Sequence, residues 1–136
     1  MRDDTRMQIG QVAARTELSI ATVRHYDEVG LVTPICPLGG GGFRLYTEAD
    51  IERLLVIRRM KPLDFTLAEM KKLLDSLAIL AADTSSDRQR KTAAAHLEQC
   101  RAKATDSAAR LRTHLAYAEE LSELLSVRAS EAVRRV

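Results

Sequence analysis

The feature that most constrains this fold is a long segment, residues 88–127, that contains neither glycine nor proline. Small or apolar side chains recur along it mostly in alternating steps of three and four residues, which is the heptad spacing of a coiled coil. At about 1.5 Å per residue, one helix over this segment would be roughly 60 Å long. Such a helix has too little of its own domain to pack against, so the spacing predicts a partner helix from a second copy.

We call the predicted contact line of this helix the seam. After Ala93, its residues are Leu97, Cys100, Ala104, Ala108, Leu111, Leu115, Ala118, Leu121 and Leu125. Charged residues between them, such as Arg112 and Glu120, are expected to form a solvated face. The alternative is a helix that folds back on a monomeric core. The first 80 residues can supply a closed domain of their own, which favours the dimer.

The chain before the long helix is predicted to form a mainly α-helical domain over residues 7–80. A polar linker at 81–87 follows it, and a short tail at 128–136 follows the long helix. Helical spacing of apolar residues between positions 8 and 17, and a serine cap at Ser19, predict two short helices joined by a tight turn. This is a helix-turn-helix. Gly30 is expected to end the second helix in the left-handed conformation.

Residues 31–46 cannot be helical, because they contain two prolines and four consecutive glycines. Their two ends have the pattern of short strands, which predicts a small β-hairpin, or wing, after the helix-turn-helix. Helical patterns resume after Thr47 and after Thr66, two predicted N-caps, the second in a capping box with Glu69. Pro62 is expected to end the helix that starts after Thr47.

Composition narrows the class of protein. Lys and Arg number 21 and Asp and Glu 19, so the net charge of +2 does not by itself predict a nucleic-acid partner. Two cysteines are too few for a disulfide framework, the N-terminus lacks the pattern of a signal peptide, and no apolar run approaches about 18 residues. We expect a cytoplasmic protein with no membrane partner.

The sequence does not predict an enzyme, a cofactor or a metal site. Its carboxylates are scattered, no serine and histidine form an activating arrangement, and the glycines at 39–42 lack the spaced Lys and Ser/Thr of a phosphate loop. Cys36 and Cys100 are too widely separated to close a soft-metal site, and too few for an iron–sulfur centre.

Three motifs occur in order: RHYDEVGL from Arg24, GFRLY ending at Tyr46, and DIERL from Asp50. Together they resemble the DNA-binding domain of the MerR family of bacterial transcriptional regulators. The resemblance covers about residues 7–77, and the long helix is similar to the family's dimerisation helix in position and length only. It implies that the second helix of the helix-turn-helix lies in the DNA major groove, where arginine binds phosphate or guanine.

The resemblance and the charge pattern give eight candidate DNA contacts. They are Arg15, Thr22, Arg24, His25, Tyr26, Arg44, Tyr46 and Lys61. Local alternatives remain for several of them. Arg24 could pair with an acid on its own helix, Tyr26 could be a core ring, and Tyr46 could close the wing against the helix. His25 stands where the family commonly has tyrosine, which leaves base preference at this position open.

The segment from Lys61 to Phe65 departs from the family. Family members usually carry a glycine just before the aromatic residue, where this chain has Asp64, and Pro62 is unusual. Lys61 lies near the start of the next helix and could bind phosphate together with the backbone N–H groups at Thr66.

The resemblance also implies a mechanism. A homodimer with antiparallel long helices would grip a near-palindromic promoter, distort the DNA so that its two elements align for RNA polymerase, and respond to an effector. The effector is left open. A small molecule could bind between the winged domain and the helix, or a thiol at Cys36 or Cys100 could respond to redox change or electrophiles.

Two other classes of function compete with this interpretation. An architectural, excisionase-like DNA-binding factor shares the winged fold but usually lacks a long dimer helix, so the seam disfavours it. A helical adaptor that binds protein rather than DNA is disfavoured by the alignment of Arg24, Arg44 and Tyr46.

Overall fold

The structure, a computed structural model of the chain, describes residues 6–36 and 43–136. The α-helices of this part of the chain are α1 (Ile9–Thr16), α2 (Ile20–Glu28), α3 (Glu48–Met60), α4 (Leu67–Ala81) and α5 (Asp87–Arg134). A 3-10 turn at Lys61–Leu63 joins α3 to α4. The chain divides into two units, Met1–Glu98 and Gln99–Val136, with the boundary inside α5. The predicted mainly helical fold class is confirmed.

Helices α1 and α2 form the predicted helix-turn-helix. The side chain of Ser19 accepts a hydrogen bond of 3.1 Å from the backbone N–H of Thr22, as its predicted role as an N-cap requires. Between the helices, Glu17 adopts the left-handed conformation with φ of 58°. The tight turn therefore depends on one left-handed residue followed at once by a capped helix start.

Gly30 ends α2 in the way that its position predicts. Its φ is +83°, and the N–H of Leu31 donates to the carbonyl of Tyr26 over 2.9 Å. This backbone reversal aims the following segment back across the domain. A Cβ at Gly30 would meet nothing within 4 Å, so a side chain there is opposed only by the backbone conformation.

The core of the first unit lies between the helix-turn-helix, α3 and α4. Its largest fully buried side chains are Val12, Thr16, Val23, Leu31, Val32, Tyr46, Leu54, Ile57 and Leu74. In and next to α2, Val23 and Tyr26 are buried whereas Ile20 and Val29 are exposed. The two exposed residues lie at the ends of α2, beyond the part of the helix that the core covers.

Two arginines of α3 tie the neighbouring segments to the core through backbone carbonyls. Arg53 Nε donates to the carbonyl of Leu31 over 2.9 Å, and Arg58 Nη1 donates to the carbonyl of Thr16 over 2.6 Å. Both carbonyls lie where a helix has ended and the chain turns. The guanidinium groups therefore satisfy acceptors that receive no backbone N–H from the described part of the chain.

The wing is only partly described. An antiparallel bridge pairs Ile35 with Leu45, whose backbone N–O distances are 2.8 and 2.9 Å, and a second bridge pairs Met7 with Tyr46. These are isolated bridges, so the two strands expected at the ends of residues 31–46 are not present in the described part of that segment. The predicted tip at 37–42 lies outside the described residues, and the β-hairpin wing stays a prediction.

The departure at Asp64 has a backbone explanation. Asp64 adopts the left-handed conformation with φ of 63°, immediately after the 3-10 turn. Glycine adopts this conformation at no steric cost, and aspartate tolerates it better than most other residues do. Pro62 lies inside the turn, so α3 ends at Met60, two residues before the proline.

Helix α5 is longer than predicted at both ends. It begins at Asp87, where the side chain of Ser86 accepts from the N–H of Gln89 over 3.1 Å. It continues to Arg134, so the predicted end at residue 127 and the short tail at 128–136 are corrected. Residues 128–134 contain neither glycine nor proline, and nothing local stops the helix there.

Among the residues that the structure describes, no helix combines the length and the apolar character needed to cross a bilayer.

A pair of alanine substitutions tests the backbone role of Gly30. Gly30→Ala should lower the free energy of unfolding by about 1 kcal/mol, because alanine is strained at a positive φ. Gly10→Ala is the control, because Gly10 lies in α1 and its Cβ would also meet nothing within 4 Å. It should raise stability by about 0.5–1 kcal/mol. Urea unfolding measures both, and effects of the same sign would contradict the assignment.

Candidate nucleic-acid interface

Helix α2 presents a basic face opposite its buried side. Val23 and Tyr26 pack into the core with 0% and 2% of their surface exposed, whereas Arg24 and His25 are exposed. The ring centroids of His25 and Tyr26 are 5.6 Å apart and the rings are tilted by 48°. Because the two core side chains fix the rotation of α2, they also fix the direction in which its basic face points.

Arg24 has no ion pair among the described residues, so the alternative of a pair within its own helix is not found there. Asp27, one of its possible partners, instead forms an ion pair with Arg44 of the wing segment. The Asp27 side chain is only 11% exposed, whereas half of the Arg44 side chain reaches solvent. The pair therefore braces the wing segment against α2.

A groove lies on the wing side of α2 and has a volume of about 320 Å³. We call it the wing groove. Its lining residues are Gln8, Ile9, Arg24, Glu28, Phe43, Arg44 and Tyr46. Arg24 and Arg44, from separate segments, share this concave surface with Glu28. Because Arg44 is already paired with Asp27, Arg24 is the cation of the groove that can attract an anion such as a backbone phosphate.

Tyr46 is a core residue. Its side chain is fully buried, and its hydroxyl has no hydrogen-bond partner among the described residues. Burial raises the pKa of the Tyr46 hydroxyl above its ordinary value, against the opposing effect of the Arg44 charge. The hydroxyl is shielded from any molecule on the surface. The expected contact between Tyr46 and DNA does not fit this burial, whereas the alternative role of closing the wing against the domain does.

A second groove lies on the other side of α2, with a volume of about 310 Å³. We call it the turn groove. Its lining residues are Leu18, Thr22, Tyr26, Arg58, Lys61 and Pro62. The structure thus brings the exposed Lys61 to the side of α2. Tyr26, although buried, borders the groove.

Sequence reasoning missed Arg58 as a residue of this surface. Its guanidinium lines the turn groove while binding the Thr16 carbonyl, and lies 3.8 Å from a carboxylate oxygen of Glu17. The pair of arginines at the end of α3 was the available signal, but only the tertiary fold brings this helix end beside α2.

Arg15 is engaged elsewhere. Its guanidinium forms a two-pronged ion pair with Glu48 of α3, and the Nη2–Oε2 distance is 3.0 Å. Its side chain is about half exposed. The local charge of Arg15 is compensated, so the arginine links α1 to α3 rather than offering an unopposed cation to phosphate.

The two cysteines, Cys36 and Cys100, are half-buried thiols. Across the described residues, no group of three or more histidine, cysteine or acidic side chains is arranged to hold a metal ion.

A helix-turn-helix whose second helix displays an exposed, unpaired arginine between two concave grooves is typical of the class of helix-turn-helix DNA-binding proteins. Comparison with known families gives the particular member of this class. Residues 7–77 match the family described as "MerR HTH family regulatory protein", and residues 51–118 match "MerR, DNA binding". The chain belongs to the MerR family of transcriptional regulators, and it is not an enzyme.

Curated relatives match about half of this chain. It is 44% identical over 68 residues to the HTH-type transcriptional activator mta of Bacillus subtilis. The matched stretch covers 50% of this chain and 26% of that protein. It is 41% identical over 71 residues to the HTH-type transcriptional regulator YfmP of the same organism, and this match covers 52% of this chain and 50% of that protein. The chain thus spans half or less of the length of these relatives.

Solved structures share the fold over a larger part of the chain. A MerR-family regulator from Listeria monocytogenes has a TM-score of 0.63 at 18% identity, covering 83% of this chain and 80% of that one. HiNmlR, a MerR-family regulator lacking the sensor domain and bound to promoter DNA, has a TM-score of 0.61 at 20% identity, covering 82% and 79%.

The role of the Tyr46 hydroxyl can be tested directly. Tyr46→Phe should leave DNA affinity unchanged and leave the free energy of unfolding equal or higher by about 1 kcal/mol, because it removes a buried hydroxyl without a partner. Tyr46→Ala, which removes the ring, should cost about 3–5 kcal/mol. Urea unfolding and titration with duplex DNA measure these effects. A severalfold loss of DNA affinity in Tyr46→Phe would restore the hydroxyl as a contact.

A comparison of the natural chain with Tyr46→Phe also tests the shifted pKa of the Tyr46 hydroxyl. Burial raises the pKa of Tyr46 in the folded state above the ordinary tyrosine value of 10.0, so the folded protein holds this proton more tightly. The resulting stability is complete below about pH 10 and is lost as pH rises through the folded pKa. The stability of the natural chain relative to Tyr46→Phe should therefore stay constant up to about pH 10 and fall as the pH rises above that value. A constant difference would contradict the shift.

Proposed function

We propose that the chain is a sequence-specific, DNA-binding transcriptional regulator that acts as a homodimer, with α2 of each copy in a major groove. The observation that supports this most strongly is Arg24. Its side chain is exposed and has no ion pair among the described residues. The neighbouring arginines Arg15, Arg44 and Arg58, in contrast, each lie against a carboxylate. An unopposed arginine on a recognition helix suits bidentate binding to guanine or phosphate.

The two grooves support a specific docking geometry. With α2 in the major groove, the DNA backbones on either side would follow the wing groove, which contains Arg44, and the turn groove, which contains Lys61. Thr22 and His25 would then face base edges or nearby sugar-phosphate from α2. Phosphate contacts of this kind set the register of the protein on the duplex, while base contacts from α2 select the sequence.

The seam supports a homodimer. In the second unit, Leu111, Leu115, Leu121 and Leu125 are each between 47% and 59% exposed. Burial of apolar surface contributes about 25 cal/mol per Å², so covering such a row repeatedly favours association. We propose that a second copy covers it in antiparallel orientation. With the pairing centred near residue 107, Cys100 would face about residue 114, which disfavours a symmetric Cys100 disulfide.

Two-fold symmetry leads to the proposed mechanism. A dimer with two identical recognition helices fits a near-palindromic promoter, whose half-sites lie on one face of the duplex. We propose that the dimer distorts the DNA between them, aligns the promoter elements for RNA polymerase, and changes this distortion when an effector binds. Deformation of a site costs about 1–10 kcal/mol and is offset by the contacts that the bend permits.

Arg24→Ala is the first test of this interface. If Arg24 binds a base, the change should weaken binding to the selected operator by about 1–3 kcal/mol, and if it binds phosphate, the salt slope should fall by about 1. The matched control is Arg112→Ala, which removes the same charge from an exposed position on α5. Titrations between low and moderate salt measure both quantities. Equal behaviour of the two variants would contradict the assignment of α2.

Leu115→Glu tests the seam. A buried unpaired carboxylate is strongly unfavourable, so this change should shift the chain from dimer to monomer at micromolar concentration. Glu119→Gln, on the expected solvated face, is the control and should leave the dimer intact. Sedimentation equilibrium distinguishes them. A monomeric natural chain that still binds DNA would favour the architectural alternative, and a dimer that binds no duplex at low salt would favour the adaptor.

A further inference from the structure

A third concave surface lies away from the proposed DNA interface, between α4 and the first turns of α5. We call it the helix cleft, and its volume is about 590 Å³. All of its lining residues, from Ala68 to His96, belong to the first unit. Small-molecule sites typically have volumes of about 300–1,000 Å³, so this cleft is within the size range of sites for small organic ligands.

The floor of the helix cleft is made of small and apolar groups. Ala93 of α5 is 1% exposed and Ile79 of α4 is half-buried, and the exposed Ala68 lines the cleft at the start of α4. Ser76 also lies at the floor, but its hydroxyl donates to the carbonyl of Lys72 over 2.9 Å and is therefore satisfied. An apolar body fits such a floor, because it displaces water without leaving a buried polar group unpaired.

The rim of the helix cleft is basic. Lys71 pairs with Asp75 at 3.6 Å, so one cation and the single acid of the cleft compensate each other. Lys72 and Arg88 are exposed, and neither has an ion pair with any residue that the structure describes. They lie on different helices, one on each side of the cleft. Two uncompensated cations above an apolar floor are complementary to a molecule that is both apolar and anionic.

We propose that the helix cleft binds an amphipathic organic anion, with its apolar body on the floor and its carboxylate between Lys72 and Arg88. This deepens the proposed function, on which its regulatory consequence rests. Helix α4 belongs to the domain that would bind DNA, and α5 continues into the seam that would bind a second copy. A ligand between them would therefore bias the geometry of the complex, as an effector must.

Three probes of nearly equal shape test the charge preference. Naphthaleneacetate is an anion, naphthaleneacetamide is neutral, and naphthylethylammonium is a cation. Isothermal titration of the full chain should give a dissociation constant at or below about 1 mM for the anion. Binding of the neutral probe should be about tenfold weaker, and binding of the cation weaker still. Absence of binding by the anion, or equal affinity for all three probes, would overturn the proposal.

Variants at the rim locate the site. Lys72→Gln combined with Arg88→Gln should weaken binding of naphthaleneacetate by about tenfold or more, because each change removes a charge-assisted contact. Lys91→Gln is the matched control. Lys91 is exposed on the same turns of α5 but does not line the cleft, so its removal should change the affinity by less than about twofold. Equal effects of the double variant and the control would place the anion elsewhere and overturn the proposal.

Two further measurements separate this proposal from its alternatives. If the double variant weakens self-association by about tenfold while leaving naphthaleneacetate affinity unchanged, a second copy occupies the cleft and the proposal is overturned. Operator binding of the same proteins keeps the proposed function independent. If the natural chain binds its operator but does not prefer naphthaleneacetate over the other probes, only the proposal for the helix cleft is overturned. If it binds naphthaleneacetate but no operator, only the proposed DNA-binding function is overturned.

Discussion

Burial of one side of α2 is the constraint on which the proposed interface depends. Val23 and Tyr26 leave this short helix a single rotation against the core. Arg24 and His25, the two residues between them in the sequence, must then face outward. Gly30 reverses the chain directly afterwards, which brings the wing segment back to α2, where Asp27 pairs with Arg44. The packing of Val23 and Tyr26 thus fixes the direction of the recognition surface, and the chain reversal at Gly30 marks where that surface meets the wing segment.

Ion pairing then divides the basic residues of the first unit into two groups. Arg15 is compensated by Glu48, Arg44 by Asp27, and Arg53 binds a backbone carbonyl. These arginines connect α1, the wing segment and α3, and so hold the scaffold together. Arg24 remains unopposed among the described residues and is placed where an external anion can reach it. A net charge of only +2 is therefore compatible with an exposed arginine placed where it can bind a polyanion.

Local features of the fold were predictable from the sequence because they depend on a few neighbouring residues. The Ser19 cap, the left-handed Gly30 and the start of α4 after Thr66 are of this kind. The burial of Tyr46 was not predictable, because a tyrosine in a basic segment suits a surface as well as a core. The approach of Arg58 and Lys61 to α2 depends on tertiary packing between distant segments. The extent of α5 was underestimated because an amphipathic pattern can end before its helix does.

The central claim is that two copies of α2 bind one DNA duplex. Hydroxyl-radical footprinting of the DNA upstream of the chain's own gene tests this claim most directly. We expect two protected patches of equal size on one face of the DNA, separated by about one helical turn of 10–10.5 base pairs or a multiple of it. Arg24→Ala should weaken both patches together. A single protected patch, or two patches that respond differently to the substitution, would contradict the claim.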